Sequence, residues 1–430
     1  MENIEKILKI AEKLGADSCE VFYSNTKSHS FSTAGSVIKT KEFDSDSGFG
    51  IRILKNKRIG FSYFTDKNKA EETVKTAIAV SKFSEEIDGF KFSEDKKFPT
   101  VKGVYDKKIE SLDADDAKKL IYNLISGVKH YAEPIESDLS FGTSEIEIIN
   151  SNGLFVDEKY TKISCTMQAG YKDSSAHDTY ASCSLDIDCE KIGRNAGLLA
   201  KQMYKPKKIK NQKMNVIFDQ SALHDLFSTM LSPAVDGSKT RRGLSFFCCK
   251  EERQVASSIL NIYDDPLHPK GLGSSAFDAE GSRTFKNQII EEGIIKNFLY
   301  DLKNAAIAKT KTTGSGSRGN YSSSVSVSPS NVFVGSGNIS DLISECRAGI
   351  YLYSALGWHT ANSLVGDFSV SIDVGFKIEN GEIKEGVKGI VAGNFFEMIE
   401  KIKGIEKKQE RFLDLVSPKI EFYDVNVVGN

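Results

Sequence analysis

The 430-residue chain has no continuous apolar stretch approaching the roughly 20 residues that cross a bilayer. It has six histidines, and no two stand within ten residues of each other. That spacing excludes a metal site built on a close histidine pair along one helix. There is no Cys-x-x-Cys. The seven cysteines are odd in number and irregular in spacing, which argues against a disulfide framework. Adjacent Cys248 and Cys249 offer a poor geometry for one metal and a strained one for a disulfide, so all seven read as buried, reduced thiols. Charge of one sign is also missing. Lys and Arg number 57 against 59 Asp and Glu, a net charge of -2, which argues against nucleic acid as the main partner. The first sixteen residues mix Lys and Glu with Ile and Leu at helical spacing, where a secretory signal would carry a continuous apolar block. A cytosolic, non-membrane protein is expected.

A 40% hydrophobic content over this length supports two or three domains. Ile4, Ile7, Leu8, Ala11 and Leu14 predict an amphipathic first helix. Strand-like runs follow at 20–23, 28–33, 37–43, 48–54 and 59–64, with turns at Ala34-Gly35 and at 55–57. A second helix is expected over about 67–83. Residues 84–104 have no clear period and read as a connector. A helix beginning near Asp113 or Asp115, with Leu120, Ile121, Leu124, Ile125, Val128 and Tyr131 along one stripe, leads into strands at 139–149, 154–171 and 179–186. Asn152-Gly153 is a strong hairpin signal. A helix near 191–204 precedes a basic linker, 205–213. Beyond it the chain is rich in Gly and Ser, with many short strand-like runs and two expected helices, 221–231 and 395–402; Ser315 to Ser330 reads as an exposed loop. The predicted class is α+β: an N-terminal antiparallel sheet layered with helices, then a mainly β, barrel-like C-terminal domain. The expected domains are 1–100, 105–205 and 214–430.

The dense motifs lie in the last of these. In order they are Asp264-Asp265-Pro266, Phe277-Asp278-Ala279-Glu280-Gly281 with Thr284, Gly366-Asp367-Phe368-Ser369, Ile378-Glu379-Asn380-Gly381-Glu382-Ile383 and Ala392-Gly393-Asn394. The N-terminal half adds Gly48-Phe49-Gly50-Ile51-Arg52 and Gly60-Phe61-Ser62. Together they resemble the TldD/PmbA family, once called modulators of DNA gyrase. The resemblance implies a pairing of two related subunits that processes or degrades small or unfolded peptides, including microcin precursors and an antitoxin. The TldD-like subunit carries His-Glu-x-x-x-His on a helix, and a cysteine near the C-terminus completes its zinc site. The PmbA- or TldE-like subunit lacks these.

In the helix that should hold the motif, His224 matches the first histidine, but Asp225 stands at the glutamate position and Thr229, a very poor zinc ligand, at the second histidine. The stretch expected to hold the cysteine, Gly404 to Pro418, contains Phe412-Leu413-Asp414 and no cysteine. The expectation is a degenerate site at His224, Asp225 and Thr229 with no metal in this chain, any zinc lying in a TldD-like partner. On a regular helix the adjacent His224 and Asp225 side chains diverge by about 100°. The expected partner is a TldD-like catalytic subunit or a second copy, with peptides as substrate. Two alternatives stand beside this: a self-sufficient metallopeptidase with an atypical site, and a regulatory protein that binds peptide or nucleic acid.

Four residues are candidates for substrate binding. Asp278 and Glu280 would share a face if they lay on a strand, and their structural reading is to bind backbone amides or Arg283 near Gly281. Arg318, in a Gly/Ser loop, suits a peptide carboxylate, against the simpler reading of a solvated arginine. Asn380 belongs to a tight hairpin turn with Gly381, which makes folding its first duty.

Overall fold

The computed structural model describes residues 2–429. Within the first helix the side chain of Ile4 lies outside what is described. The N-terminal half is a single six-stranded antiparallel sheet. Its strands are β1 (Ser18–Ala34), β2 (Val37–Lys55), β3 (Arg58–Phe64), β4 (Glu133–Asn150), β5 (Phe155–Tyr171) and β6 (Ser174–Ser182), in the order β3-β2-β1-β4-β5-β6. Four of the expected strands fuse into two long ones. Ser24 to Lys27 and Asp44 to Ser47 read as polar breaks, yet they pair directly with each other across β1 and β2. Backbone pairing with a neighbour on each side of β1 overrides the low strand propensity of these residues.

Strand alternation divides the sheet into two faces. Val21, Phe31, Leu139, Phe141, Ile163 and Cys165 point to one face, buried beneath four helices. These are α1 (Glu2–Lys13), α2 (Ala70–Ser81), α3 (Ala114–Lys129) and α4 (Cys189–Gln202). Asp113 caps α3, accepting from the amides of Asp115 and Asp116. Glu20, Phe22, Arg52, Ile148 and Val156 point to the other face and meet the C-terminal domain.

That domain is built on a closed five-stranded barrel: β7 (Gln212–Phe218), β8 (Ala348–Leu356), β9 (Asp367–Glu379), β10 (Ile390–Asn394) and β11 (Ile420–Val428). The order β8-β7-β11-β10-β9 closes where β9 pairs back onto β8. Only β7 and β8 run parallel within it. The barrel and its surrounding helices share the largest apolar core. Three short helices here escaped the sequence pattern: Gly237–Arg241, Leu302–Ala308 and Leu342–Glu345. Each is too short to display a helical period, and each is set instead by an Asp cap, Asp236, Asp301 and Asp341.

Two glycines show how tightly the layers close. A Cβ on Gly48 would strike the Tyr321 ring, and one on Gly60 would strike the Ala77 carbonyl of α2. The segment around Tyr321 therefore lies against the sheet, which corrects the expectation of an exposed Ser/Gly loop: Ser315 and Tyr321 are buried. Gly60→Ala is expected to destabilise the protein by about 1–3 kcal/mol through overpacking of β3 against α2, read as a lower denaturant midpoint at unchanged m-value.

Candidate functional site

Strand β7 runs out of the barrel directly into the helix α5 (Gln220–Leu226), capped by Asp219, whose carboxylate accepts from the Ser221 amide. Ala222, Leu223 and Leu226 bury one side of α5, which leaves His224 facing the hairpin formed by Glu410–Phe412 and Leu415–Ser417. Leu413 takes a left-handed φ of 53° in that hairpin's turn, beside Asp414. His224 Nε2 lies 3.0 Å from Asp414 Oδ1, and Nδ1 lies 3.2 Å from Asp225 Oδ1. The two side chains, expected to diverge, are thus within hydrogen-bond distance of each other. Burial alone would lower the imidazole pKa, but the bonds to Asp225 and Asp414 outweigh it and raise it to about 9. At neutral pH His224 is an imidazolium donating from both nitrogens.

After α5 the helix continues as a π turn, Phe227–Leu231, then reverts to α at Ser232–Val235. A π turn closes i→i+5, and here the Ser232 amide donates to the Phe227 carbonyl. Here it is Ser228, not Thr229, that lines a small pocket of about 180 Å³ beside His224.

His224 and Asp414 stand at one end of a cavity of about 510 Å³. Its opposite wall is the non-helical face of the N-terminal sheet, where Glu158, Tyr160 and Lys162 alternate along β5 with Phe22 on β1. Its remaining walls are the Gly271–Ser275, Gly314–Arg318 and Ser328–Ser330 segments. Burial lifts the Glu158 carboxyl above its usual range, against bonds from Ser275 and the Ala276 amide.

Behind the cavity lies a buried charge cluster. The Arg52 guanidinium bonds Glu20 through Nε (2.9 Å) and Nη2 (2.6 Å), and Glu280 through Nη1 (2.5 Å). Arg318 also donates to Glu20, its side chain wholly buried and its guanidinium 4.7 Å from the Phe22 ring centroid. Arg318 is therefore not a solvated loop arginine; Glu20, across the domain boundary, draws it inside. Glu280 lies in a turn rather than on a strand, and it pairs with Arg52 and the Leu302 amide instead of Arg283. Asp278 does bind backbone amides as read: Glu280, Ser282 and Gly316 donate to it. Burial and the neighbouring Glu280 push its carboxyl pKa up.

Of the sequence candidates, the structure places His224 and Asp278 on the cavity, together with the segment of Arg318, while Glu280 supports it from behind. Asp225 touches the site through His224. Asn380 sits apart, in the exposed turn between β9 and Glu382–Lys388. Asp414 was missed as a site residue. Its signal was present, since Phe412-Leu413-Asp414 occupies the stretch expected to carry the family's cysteine.

Models of the PmbA/TldA metallopeptidase domains match three consecutive segments: domain 1 at residues 19–81, the central domain at 105–204 and the C-terminal domain at 211–429. The chain belongs to this PmbA/TldD metallopeptidase family. It is 30% identical to an uncharacterized protein of Methanocaldococcus jannaschii, covering 98% of each chain. It is 26% identical to a metalloprotease PmbA homolog of Buchnera aphidicola, covering all of this chain and 97% of that one. Among solved structures it resembles TldE from Thermococcus kodakarensis, with a TM-score of 0.90 at 25% identity over 99% of this chain and 100% of that one.

The family name implies a metal, but the donors present here do not fit the zinc set described for it. Both nitrogens of His224 are committed to carboxylates, position 225 is Asp, position 229 is Thr, and Asp414 stands in the stretch expected to carry the cysteine. Among the described residues no three His, Cys, Asp or Glu side chains are grouped to hold a metal ion.

Two outcomes follow for this site. Because the folded pKa of His224, about 9, exceeds its ordinary 6.5, the clamp's stabilisation is complete below pH 6.5 and fades as pH rises through 9. Unfolding free energies of the protein and its His224→Gln variant should therefore converge above that pH, and NMR titration of the ring should give the raised pKa. Arg52→Met, which leaves Glu20 with Arg318 alone and Glu280 without a cation, is expected to cost about 3–5 kcal/mol in denaturant unfolding.

Proposed function

We propose that this chain is the PmbA/TldE-type subunit of a cytosolic TldD/TldE-type metalloprotease, that it acts on small or unfolded peptides with a TldD-like partner, and that it does not cleave alone. The observation that carries this reading is the His224 clamp. His224, which the resemblance matches to the first metal-binding histidine of a catalytic subunit, is here an imidazolium held by Asp225 and Asp414, whereas a metal ligand must be neutral. The cavity beside it gives a peptide somewhere to lie, with Asp278 in its wall and Glu280 and Arg318 holding the sheet and loops that form it.

The test uses the full chain, alone and co-expressed with a His-Glu-x-x-x-His chain from the same genome. Expected are clearly substoichiometric zinc and no hydrolysis of an unstructured peptide by the chain alone, and a co-eluting complex whose cleavage a chelator stops. Chelator-sensitive hydrolysis by the purified chain alone, abolished by His224→Gln, would favour the self-sufficient peptidase. Failure to recover any complex, with full activity in the partner alone, would sink the subunit reading.

A further inference from the structure

Five of the seven cysteines are buried, but Cys248 is half-buried and Cys249 exposed, so the expectation of seven buried thiols fails at this pair. The two Sγ atoms stand 3.5 Å apart. They converge in a turn where Cys249 adopts a left-handed φ of 60°, a conformation that a non-glycine residue holds only when its surroundings impose it. Those surroundings are visible on both sides. Phe246 stacks on Phe396 with ring centroids 4.0 Å apart, and Phe247 is fully buried. The Cys248 amide donates to the Ser245 carbonyl and the Lys250 amide to the Phe247 carbonyl. Downstream, the Glu252 amide donates to the Ile295 carbonyl and its carboxylate pairs with Lys296 at 2.7 Å. Two surface thiols are thus held at a fixed separation by a fastened loop.

The separation selects the ligand. Among the described residues no third His, Cys, Asp or Glu joins the pair as a metal-binding group, so a four-coordinate zinc would lack half its ligands. A linear two-coordinate ion would hold its sulfurs about 4.6 Å apart, taking a metal–sulfur bond of about 2.3 Å. A pyramidal centre with near-right-angled bonds of that length needs only about 3.3 Å, close to the 3.5 Å observed.

We propose that Cys248 and Cys249 form a bidentate capture site for trivalent arsenicals, a thiol site separate from the peptide cavity and independent of the subunit reading. With phenylarsine oxide as the probe, two arsenic–sulfur bonds form and the arsenic–oxygen link breaks. The oxygen leaves as one water carrying both thiol protons, and arsenic stays trivalent. The thiol–thiol hydrogen bond raises the pKa of Cys248, so this thiol keeps at neutral pH the proton that the departing water carries away.

The experiment is intact mass spectrometry of the reduced, folded full chain incubated with phenylarsine oxide. One phenylarsenic group per chain is expected, retained in millimolar glutathione and released by a dithiol. Cys248→Ser and Cys249→Ser should each weaken retention about 100-fold or more, the size of a lost intramolecular second attachment, with melting temperatures unchanged. No adduct on the wild-type chain, an adduct that persists in the doubly substituted chain, or release by glutathione would each overturn the proposal.

Discussion

The cluster of Glu20, Arg52, Glu280 and Arg318 is the constraint on which the rest of the molecule depends. Four ionisable side chains are removed from water, at a desolvation cost of several kcal/mol per ion. That cost is offset only if all four arrive together, because each carboxylate is paired by a guanidinium, although Nε and Nη1 of Arg318 are buried without a hydrogen-bond partner. Burial alone would lift the Glu20 carboxyl, but Arg52 and Arg318 more than cancel it and hold it below the ordinary range. Two members belong to the first two strands and two to the C-terminal loops, so satisfying the charges fixes how the sheet meets the barrel domain. The cavity walls inherit that placement: Phe22 is two residues from Glu20, and Gly316 is two from Arg318.

Much of the architecture could be read from the sequence. The α3 stripe from Leu120 to Val128, the hairpin at Asn152-Gly153 and the Asn380-Gly381 turn all depend on local chemistry, which a linear reading captures. What could not be read depends on partners distant along the chain. Ser24 to Lys27 look like a loop until Asp44 to Ser47 lie beside them. Arg318 looks solvated until a glutamate from the other end of the molecule meets it. The site divides in the same way. His224, Asp225 and Thr229 were visible as letters, but the contact of His224 with Asp414 needed the barrel to bring α5 against the Glu410–Ser417 hairpin.

The π turn after α5 links backbone to chemistry. Such turns are rare and often mark functional sites, and this one persists beside a histidine that binds carboxylates on both sides. Its geometry is held by Phe227, Met230 and Leu231, all buried in the barrel core. Packing therefore maintains the unusual winding whether or not any ligand needs it.

The charge cluster also has a history during synthesis. Glu20 and Arg318 are 298 residues apart, and Arg52 and Glu280 are 228 apart. As the chain emerges from the ribosome, β1 and β2 can pair and carry Glu20 beside Arg52, but the face they present must stay wet until the segment from Phe277 to Tyr321 has been made. The N-terminal sheet is then a half-finished surface, with Phe22, Ile148 and Val156 still waiting for their cover. This interval, set by the order of the polypeptide rather than by its final contacts, is when the chain is most exposed to misassociation.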